Sequence, residues 1–249
     1  MKLAAVLLFA FGCLIAALAA FLPATLVDRR LAAASNNKLR LADASGTLWN
    51  GRGNITDAGG TWRVPVGWSI STQAVARGIH EVVLRPIDSA PSPEGTVVVV
   101  EDGVALRNLV LDVPAAALQS AMPTKGLLVT GGTLAISSSA FAWNAAGGSG
   151  TLGAQWRNAR LVVADTLADL GVVDLAVTPQ GAGLSGLITN TGGDVRIQGT
   201  VTLASATINV DATVTPLPAT PAPIVRALAA LGTPDAAGSV RVTWRGSLK

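Results

Sequence analysis

Tyrosine is absent from this chain of 249 residues, and histidine and cysteine each occur once. Charged residues make up 13% of the sequence, about half the usual share, and aromatic residues make up 4%. The chain therefore lacks most of the side chains that build catalytic and metal sites. Hydrophobic residues make up 50% of it, which excludes a disordered, highly charged protein.

The sequence also has little net charge outside its N-terminus. It holds 18 Lys and Arg against 15 Asp and Glu. Three of those cations (Lys2, Arg29 and Arg30) and one anion (Asp28) lie in residues 1–30, so the remainder carries a net charge of about +1. A charge this small provides no basic surface for phosphates, and we predict no nucleic-acid partner.

One long apolar run, residues 3–22, dominates the N-terminus. At about 1.5 Å per residue, a helix of this length spans the roughly 30 Å hydrocarbon core of a bilayer. A cleaved signal peptide is the alternative, with Ala17-Leu18-Ala19 as its small-residue site, but its apolar core would be only about 7–15 residues long. We therefore predict a single transmembrane helix, with residues 1–30 as anchor and juxtamembrane segment. The only cysteine, Cys13, lies inside this run.

Residues 31–249 have the pattern of a mainly β domain. Short runs of Val, Leu, Ile and Thr alternate with polar residues and are separated by Gly, Asn, Asp and Pro. Residues 194–203 and 206–214 alternate most clearly, and the gap between them has hairpin length. Val195, Ile197, Val201 and Leu203 should share one face. We predict a curved antiparallel sheet with one apolar face.

Two segments depart from this alternation and predict short helices. Residues 113–121 place Pro114 at a first helical position, and residues 220–232 have a Thr220 cap followed by Pro221. A Gly-Thr-Leu sequence stands at a similar distance before each helix, at 46–48 and at 150–152. This spacing predicts two repeated halves, 36–140 and 145–249. Chance similarity in a chain rich in Gly, Thr and Leu is the alternative.

The groups that could carry chemistry are isolated in the sequence. His80 stands beside Glu81, and no second His or Cys lies outside the apolar run to complete a metal site or a catalytic triad. Residues 181–186 match the spacing of a dinucleotide-binding loop, but no helix is predicted after them, so a β-turn is favoured. We predict no catalytic residue, no cofactor, no metal and no small-molecule substrate, and hence a protein that is not an enzyme.

The tryptophans are the remaining candidates for a specific role. We predict that they are large core anchors, with partner contact as the alternative. Trp49 is expected in a strand, on the face opposite Leu48 and Asn50, as a core anchor. The six residues are Trp49, Trp62, Trp68, Trp143, Trp156 and Trp244.

Several blocks, in matching order, resemble the type II secretion system protein N family (general secretion pathway protein N). A Leu-Pro-Ala sequence (22–24) ends the apolar run, and a Val-Gly-Trp sequence stands at 66–68. Gly-Ser-Leu (246–248) closes the chain, whereas residues 70–140 agree only in general pattern. Two further blocks are the most specific to the family, and we take them as structural or interaction sites: Gly46, Thr47, Leu48, Trp49, Asn50 and Gly51, and Leu231, Gly232, Pro234, Asp235 and Gly238.

This resemblance implies an accessory component of the machinery that exports folded proteins across the outer membrane. It implies a single-pass inner-membrane protein with its body in the periplasm. The implied partners are other secretion components of the inner membrane and periplasm, with the outer-membrane secretin as a further candidate. The residues themselves leave a second function open, a membrane-tethered carrier of lipid or another apolar ligand in a β groove.

Overall fold

The computed structural model describes residues 21–87, 93–100, 102–121, 127–204 and 206–247. Within these ranges, fourteen strands form one open antiparallel sheet, and four short helices lie against it: α1 (Thr25–Ala34), α2 (Thr72–Val75), α3 (Ala116–Ala121) and α4 (Ala222–Leu231). The strands are β1 (Leu39–Gly46), β2 (Asn50–Asp57), β3 (Arg63–Ile70), β4 (His80–Arg85), β5 (Glu94–Val100), β6 (Gly103–Pro114), β7 (Leu127–Asn144), β8 (Gly147–Gly150), β9 (Leu152–Val163), β10 (Thr166–Gln180), β11 (Gly183–Thr191), β12 (Val195–Ala204), β13 (Thr207–Pro216) and β14 (Val240–Ser247).

The sheet is a meander in which each strand pairs with its neighbour in the chain, with one exception. The 18-residue β7 is long enough to pair with β8 at its C-terminal end and with β9 over the rest of its length. Strands β1 and β14 therefore form the two edges of the sheet. The predicted mainly β fold and its antiparallel sheet are confirmed.

Two hydrophobic clusters form under the helices. Helix α1 covers the N-terminal core, whose buried members are Ala24, Leu41, Val66 and Trp68. Helix α4 covers the C-terminal core, whose buried members are Ala159, Ala168, Leu170, Val195, Ile224, Leu228 and Val240. Each helix thus closes one part of the apolar face of the sheet, as a layered fold requires.

The strands with clear alternation form as the sequence predicts. In β12, Val195 is 1% exposed, and Ile197, Val201 and Leu203 lie on the same half-buried face. The hairpin to β13 closes with Ala204 opposite Thr207. Because side chains in a strand alternate between faces, this register places the apolar side chains of β12 toward the helix side.

The two predicted helices exist, but their starts were placed wrongly. Val113 and Pro114 belong to β6, where they lie opposite Leu134 and Thr133, and α3 begins only at Ala116. A proline at a strand end removes no ladder hydrogen bond, which makes this position acceptable. Thr220 does not cap α4, since its hydroxyl donates to the carbonyl of Asp194. Pro221 takes the N-cap position instead.

Two helices were not predicted from the sequence. Helix α1 follows the apolar run directly and includes the charged cluster at 28–30, which sequence reasoning assigned to a juxtamembrane segment. Helix α2 is a single turn whose start is capped by Ser71, with its hydroxyl accepting a hydrogen bond of 3.2 Å from the Ala74 amide. Such a turn is too short to leave a periodic signal.

The two predicted halves contain the same number of strands between their Gly-Thr-Leu sequence and their helix. Among the described residues, five strands (β2–β6) lie between Gly46 and α3, and five (β9–β13) lie between Gly150 and α4. Gly46 and Gly150 both have left-handed backbone conformations, with φ of 92° and 89°. The two repeated halves, 36–140 and 145–249, and the division at residue 30 stay predictions.

The predicted transmembrane segment falls largely outside the described residues, which begin at residue 21. Within the described part of the chain, no helix combines the length and the apolar character needed to cross a bilayer.

Candidate functional site

The first family block, residues 46–51, forms the tight connection between β1 and β2. The Thr47 amide donates to the Asn50 carbonyl (2.8 Å), and the Asn50 amide donates to the Thr47 hydroxyl (3.1 Å). Gly46 has a left-handed φ of 92°, and a Cβ there would lie 2.6 Å from the Asn50 carbonyl oxygen. The turn therefore requires glycine at this position.

This hairpin also binds the residues that directly follow the apolar run. The Leu48 amide donates to the Leu22 carbonyl (2.7 Å), and the Ala24 amide donates to the Gly46 carbonyl (3.3 Å). Pro23 forms an isolated antiparallel bridge with Thr47. The chain thus pairs with the hairpin before α1 begins. We call this arrangement, residues 22–24 on residues 46–51, the anchor hairpin.

Trp68 holds the anchor hairpin against β3. Its side chain is 4% exposed, and its indole Nε1 donates to the Leu48 carbonyl (3.0 Å). The ring lies so close to Gly51 that a Cβ there would be 2.5 Å from its Cζ2 atom. Gly51 is therefore required for the approach of Trp68, which explains why glycine ends the block.

The prediction that Trp49 lies in a strand is wrong. Leu48 and Trp49 lie in the bend between β1 and β2, and Trp49 is half-buried. Its carbonyl accepts a hydrogen bond of 2.7 Å from the Ile70 amide. The fully buried tryptophan of this region is Trp68. The core-anchor role of Trp49, with partner contact as its alternative, stays a prediction.

Helix α1 is fastened to β1 by a carboxylate. Asp28 accepts hydrogen bonds from Nε (2.9 Å) and Nη2 (2.6 Å) of Arg40 and from the Leu41 amide (2.8 Å). The hydrogen bonds from the Arg40 guanidinium, helped by the Leu41 amide, lower the pKa of Asp28 to about 2. Asp28 is therefore ionised in the folded protein at any pH above about 3.

We expect Asp28 to make the fold acid-sensitive. Because its pKa is lower in the folded state than in the unfolded chain, its stabilising effect is present above about pH 4 and is lost as the pH falls through 2. Half of the Arg40 side chain is exposed, so screening by water limits this effect to about 1 kcal/mol. Urea unfolding of residues 21–249 should show Asp28→Asn less stable than wild type at pH 6 and nearly equal to it at pH 2. The control is Asp43→Asn, which removes a well-exposed ion pair with Arg63 and should change little. A constant gap between wild type and Asp28→Asn across this range would contradict the assignment.

The second family block forms the loop from α4 to β14. The Asp235 carboxylate accepts from the amides of Ala237 (2.9 Å) and Ser239 (2.8 Å), and the Asp235 amide donates to the Ser239 carbonyl (2.9 Å). Gly238 is left-handed, with φ of 75°. Leu231 packs on the C-terminal core, and Gly232 lies close to Val240, while Pro234 is exposed. The two family blocks lie at opposite edges of the sheet, so the structure does not join them into one site.

The isolated polar groups remain apart in the fold. His80 is exposed at the start of β4, opposite Val99, and the Glu81 carbonyl accepts from the Ser71 amide. Residues 181–186 form the turn between β10 and β11 and the start of β11, as predicted, with Gln180 opposite Gly183. Across the described ranges, no three His, Cys, Asp or Glu residues are grouped so as to hold a metal ion. The absence of catalytic, cofactor and metal sites from the whole chain stays a prediction.

One feature that sequence reasoning did not locate is an apolar cavity of about 480 Å³. Strands β1–β3 form one wall, β6 and β7 form the other, and α3 contributes two residues. The alternating apolar positions of β6 and β7 were the available signal in the sequence. The lining residues are Ser35, Lys38, Leu39, Ile55, Trp62, Val64, Leu111, Val113, Ala117, Leu118, Leu134 and Ile136.

The tryptophans divide into a buried pair and four half-buried residues. Trp62 and Trp68 are buried, which confirms them as core anchors. Trp156 is half-buried, and its Nε1 donates to the Gly131 carbonyl (3.0 Å). The others, Trp49, Trp143 and Trp244, are also half-buried. The indole Nε1 atoms of Trp62 and Trp143 are buried and have no hydrogen-bond partner among the residues that the structure describes.

The fold and the anchor hairpin define a β-rich protein, built as one open sheet, whose first hairpin receives the residues that follow an apolar N-terminal run. A comparison with protein families matches residues 37–243 to the family of type II secretion system (T2SS) protein N. The chain belongs to this family, which confirms the resemblance. Neither a curated protein nor a solved structure matches it. Family membership indicates a role in type II secretion and interaction with other components of that system.

Proposed function

We propose that this chain is an accessory inner-membrane component of the type II secretion machinery that acts through protein–protein contacts in the periplasm. Residues 3–22 cross the inner membrane once, and the sheet lies on the periplasmic side. The family match over residues 37–243 supports the secretion role. The anchor hairpin supports the proposed arrangement at the membrane, because it binds the residues that directly follow the proposed membrane segment.

The anchor hairpin favours a fixed connection over a flexible tether. Backbone hydrogen bonds join residues 22–24 to residues 46–48, and the Asp28 carboxylate joins α1 to Arg40 and Leu41. A helix leaving the membrane at residue 22 would therefore continue into the sheet without a free linker. This arrangement would hold the sheet in one orientation to the membrane, which suits a protein that positions other components.

The edge strand β14 is the surface that we propose for partner contact. In the described part of the chain it pairs only with β13, so the backbone groups along its other side are available to a further strand. Arg241, Thr243 and Arg245 are exposed along this strand. Arg241 is paired with Asp211, and this hydrogen-bonded pairing lowers the pKa of Asp211. The expected partner is a secretion component that adds a strand beside β14.

Crosslinking in intact cells tests this proposal. A photoreactive amino acid at Thr243, in the full-length chain, should form crosslinks to inner-membrane or periplasmic secretion components. The same amino acid at Gln198, which is exposed on the interior strand β12, is the matched control and should form far fewer. Equal crosslinking from both positions would contradict β14 as the contact surface. Crosslinks only to proteins outside the secretion system would contradict the proposed function itself.

A second candidate function, the carrier of an apolar ligand, is favoured by the cavity of about 480 Å³ between β1–β3 and β6–β7. A cavity of this size falls in the range of about 300–1,000 Å³ that is typical of small-ligand sites. Such a role is compatible with a place in the secretion machinery, because the cavity and the β14 edge involve different strands.

A further inference from the structure

The cavity is formed where the N-terminal half of the sheet curves back on itself. Strands β4 and β5 lie between its two walls in the sheet, and β3 also contacts β6 across the curve. Nine of the twelve lining residues are aliphatic. Its volume of about 480 Å³ lies within the range of small-ligand sites and accommodates one long acyl chain.

Two polar donors of the cavity lack a partner within the described chain. Trp62 is 6% exposed and its Nε1 is buried with no hydrogen-bond acceptor. Lys38 is exposed and forms no ion pair with any described carboxylate. A buried N–H without an acceptor is unfavourable, and Trp62 is the one of the two such tryptophans that lines this cavity.

The other polar groups near the cavity are already engaged. The Ser35 hydroxyl donates to the Leu31 carbonyl (2.7 Å) and accepts from the Leu39 amide (3.0 Å). Asp57, opposite Leu39 in the sheet, accepts from the amide (2.6 Å) and hydroxyl (2.7 Å) of Thr61. The Lys38 ammonium group and the Trp62 Nε1–H are the groups near the cavity that remain unpaired within the described chain. A cation and an N–H donor together suit an anionic oxygen.

We propose that this cavity binds the acyl chain of an anionic amphiphile. The chain lies between the aliphatic walls, and the anionic group accepts from Trp62 Nε1 and pairs with the Lys38 ammonium group. A peptide is a poorer occupant, because its many backbone amides would need partners that an aliphatic wall does not offer. An acyl chain has no such requirement, and each further buried methylene should raise its affinity about fourfold.

The position of the cavity suits a ligand that comes from the membrane. Ser35 and Lys38 lie just beyond the C-terminal end of α1, and this ten-residue helix is about 15 Å long. Its other end follows residue 22, where the proposed membrane segment ends. The inference deepens the carrier function proposed above and is independent of the secretion role, because ligand binding can be measured whether or not secretion depends on the chain.

Photolabelling of the full-length chain in membrane vesicles tests the proposal. The probe is palmitic acid with a diazirine in its chain, and mass spectrometry locates the label. We expect label on peptides that contain residues 111–118 or 134–136, displaced by unmodified palmitic acid. A diazirine phosphatidylglycerol should label the same peptides if a membrane lipid is the source, whereas label from the fatty acid alone identifies a free fatty acid. Either result supports the proposal, because both probes combine an acyl chain with an anionic group.

Paired variants separate the roles of the two donors from general damage to the fold. Lys38→Gln and Trp62→Phe should each lower labelling about tenfold or more, since each removes a hydrogen bond to a charged group. Arg77→Gln, which removes another exposed cation, and Trp143→Phe, which removes the other unpartnered indole N–H, should leave labelling unchanged. Ala117→Phe, which fills the cavity, should abolish it. The proposal is overturned if the cavity peptides stay unlabelled, or if uncharged diazirine hexadecanol labels them as strongly as the acid and Lys38→Gln has no effect.

Discussion

Replacing Trp68 by alanine should destabilise the β domain by about 3–5 kcal/mol, the usual cost of truncating a large buried aromatic side chain. Trp68 is 4% exposed in the N-terminal core, and its Nε1 is bonded to the Leu48 carbonyl. The substitution therefore removes core packing and also leaves a carbonyl of the anchor hairpin without its donor. Urea and thermal unfolding of residues 21–249 should show the loss, with a lower midpoint for the variant.

Two further substitutions make this result specific. Trp49→Ala removes a half-buried ring from the bend next to Trp68, so its cost should be about 1–2 kcal/mol. Trp68→Phe keeps most of the packing but loses the bond to Leu48, and it should fall between wild type and Trp68→Ala. A larger loss from Trp49→Ala than from Trp68→Ala would contradict the assignment of Trp68 as the core anchor of the hairpin.

The parts of the fold that could be predicted are those specified by local patterns. The β12–β13 hairpin was predicted because apolar residues alternate along both strands and the gap between them is short. The turn at 181–186 was predicted because no helix follows it. In both places the local sequence pattern is enough to predict the structure, and tertiary contacts do not override it.

The parts that were missed depend on contacts between distant residues. Helix α1 was overlooked because Asp28 looks like part of a solvated charge cluster, whereas its carboxylate binds Arg40 and the Leu41 amide of the first strand. Thr220 looks like a helix cap, but its hydroxyl donates to Asp194, 26 residues earlier in the chain. A polar side chain with two available partners cannot be assigned from its immediate neighbours alone.

The position of the cavity could not be predicted, for a related reason. Its walls come from residues 39–64 and 111–136, and they meet only because the sheet curves. Irregular register between β1 and β2 and between β5 and β6 marks places where the sheet can bend. Asp43 and Asn108 have left-handed backbones there, with φ of 53° and 47°. Single Asn or Asp residues do not reveal from sequence which of them will adopt this conformation.

The anchor hairpin shows how one family block can serve structure and function together. Gly46 and Gly51 permit the tight turn and the approach of Trp68, and the Leu48 amide binds the chain at residue 22. The block therefore joins the proposed membrane segment to the sheet. This gives a physical reason for a Gly-Thr-Leu-Trp-Asn-Gly sequence without requiring that every residue in it contact a partner.

The central claim, a role in type II secretion, is tested most directly by following a folded type II substrate in cells that lack this chain. We measure the fraction of the substrate that reaches the medium, and compare it with cells that carry the full-length chain on a plasmid. The account predicts a several-fold lower secreted fraction, with folded substrate retained in the periplasm, and recovery with the plasmid. An unrelated protein exported by another route should be unaffected. Equal secretion with and without the chain would contradict the claim.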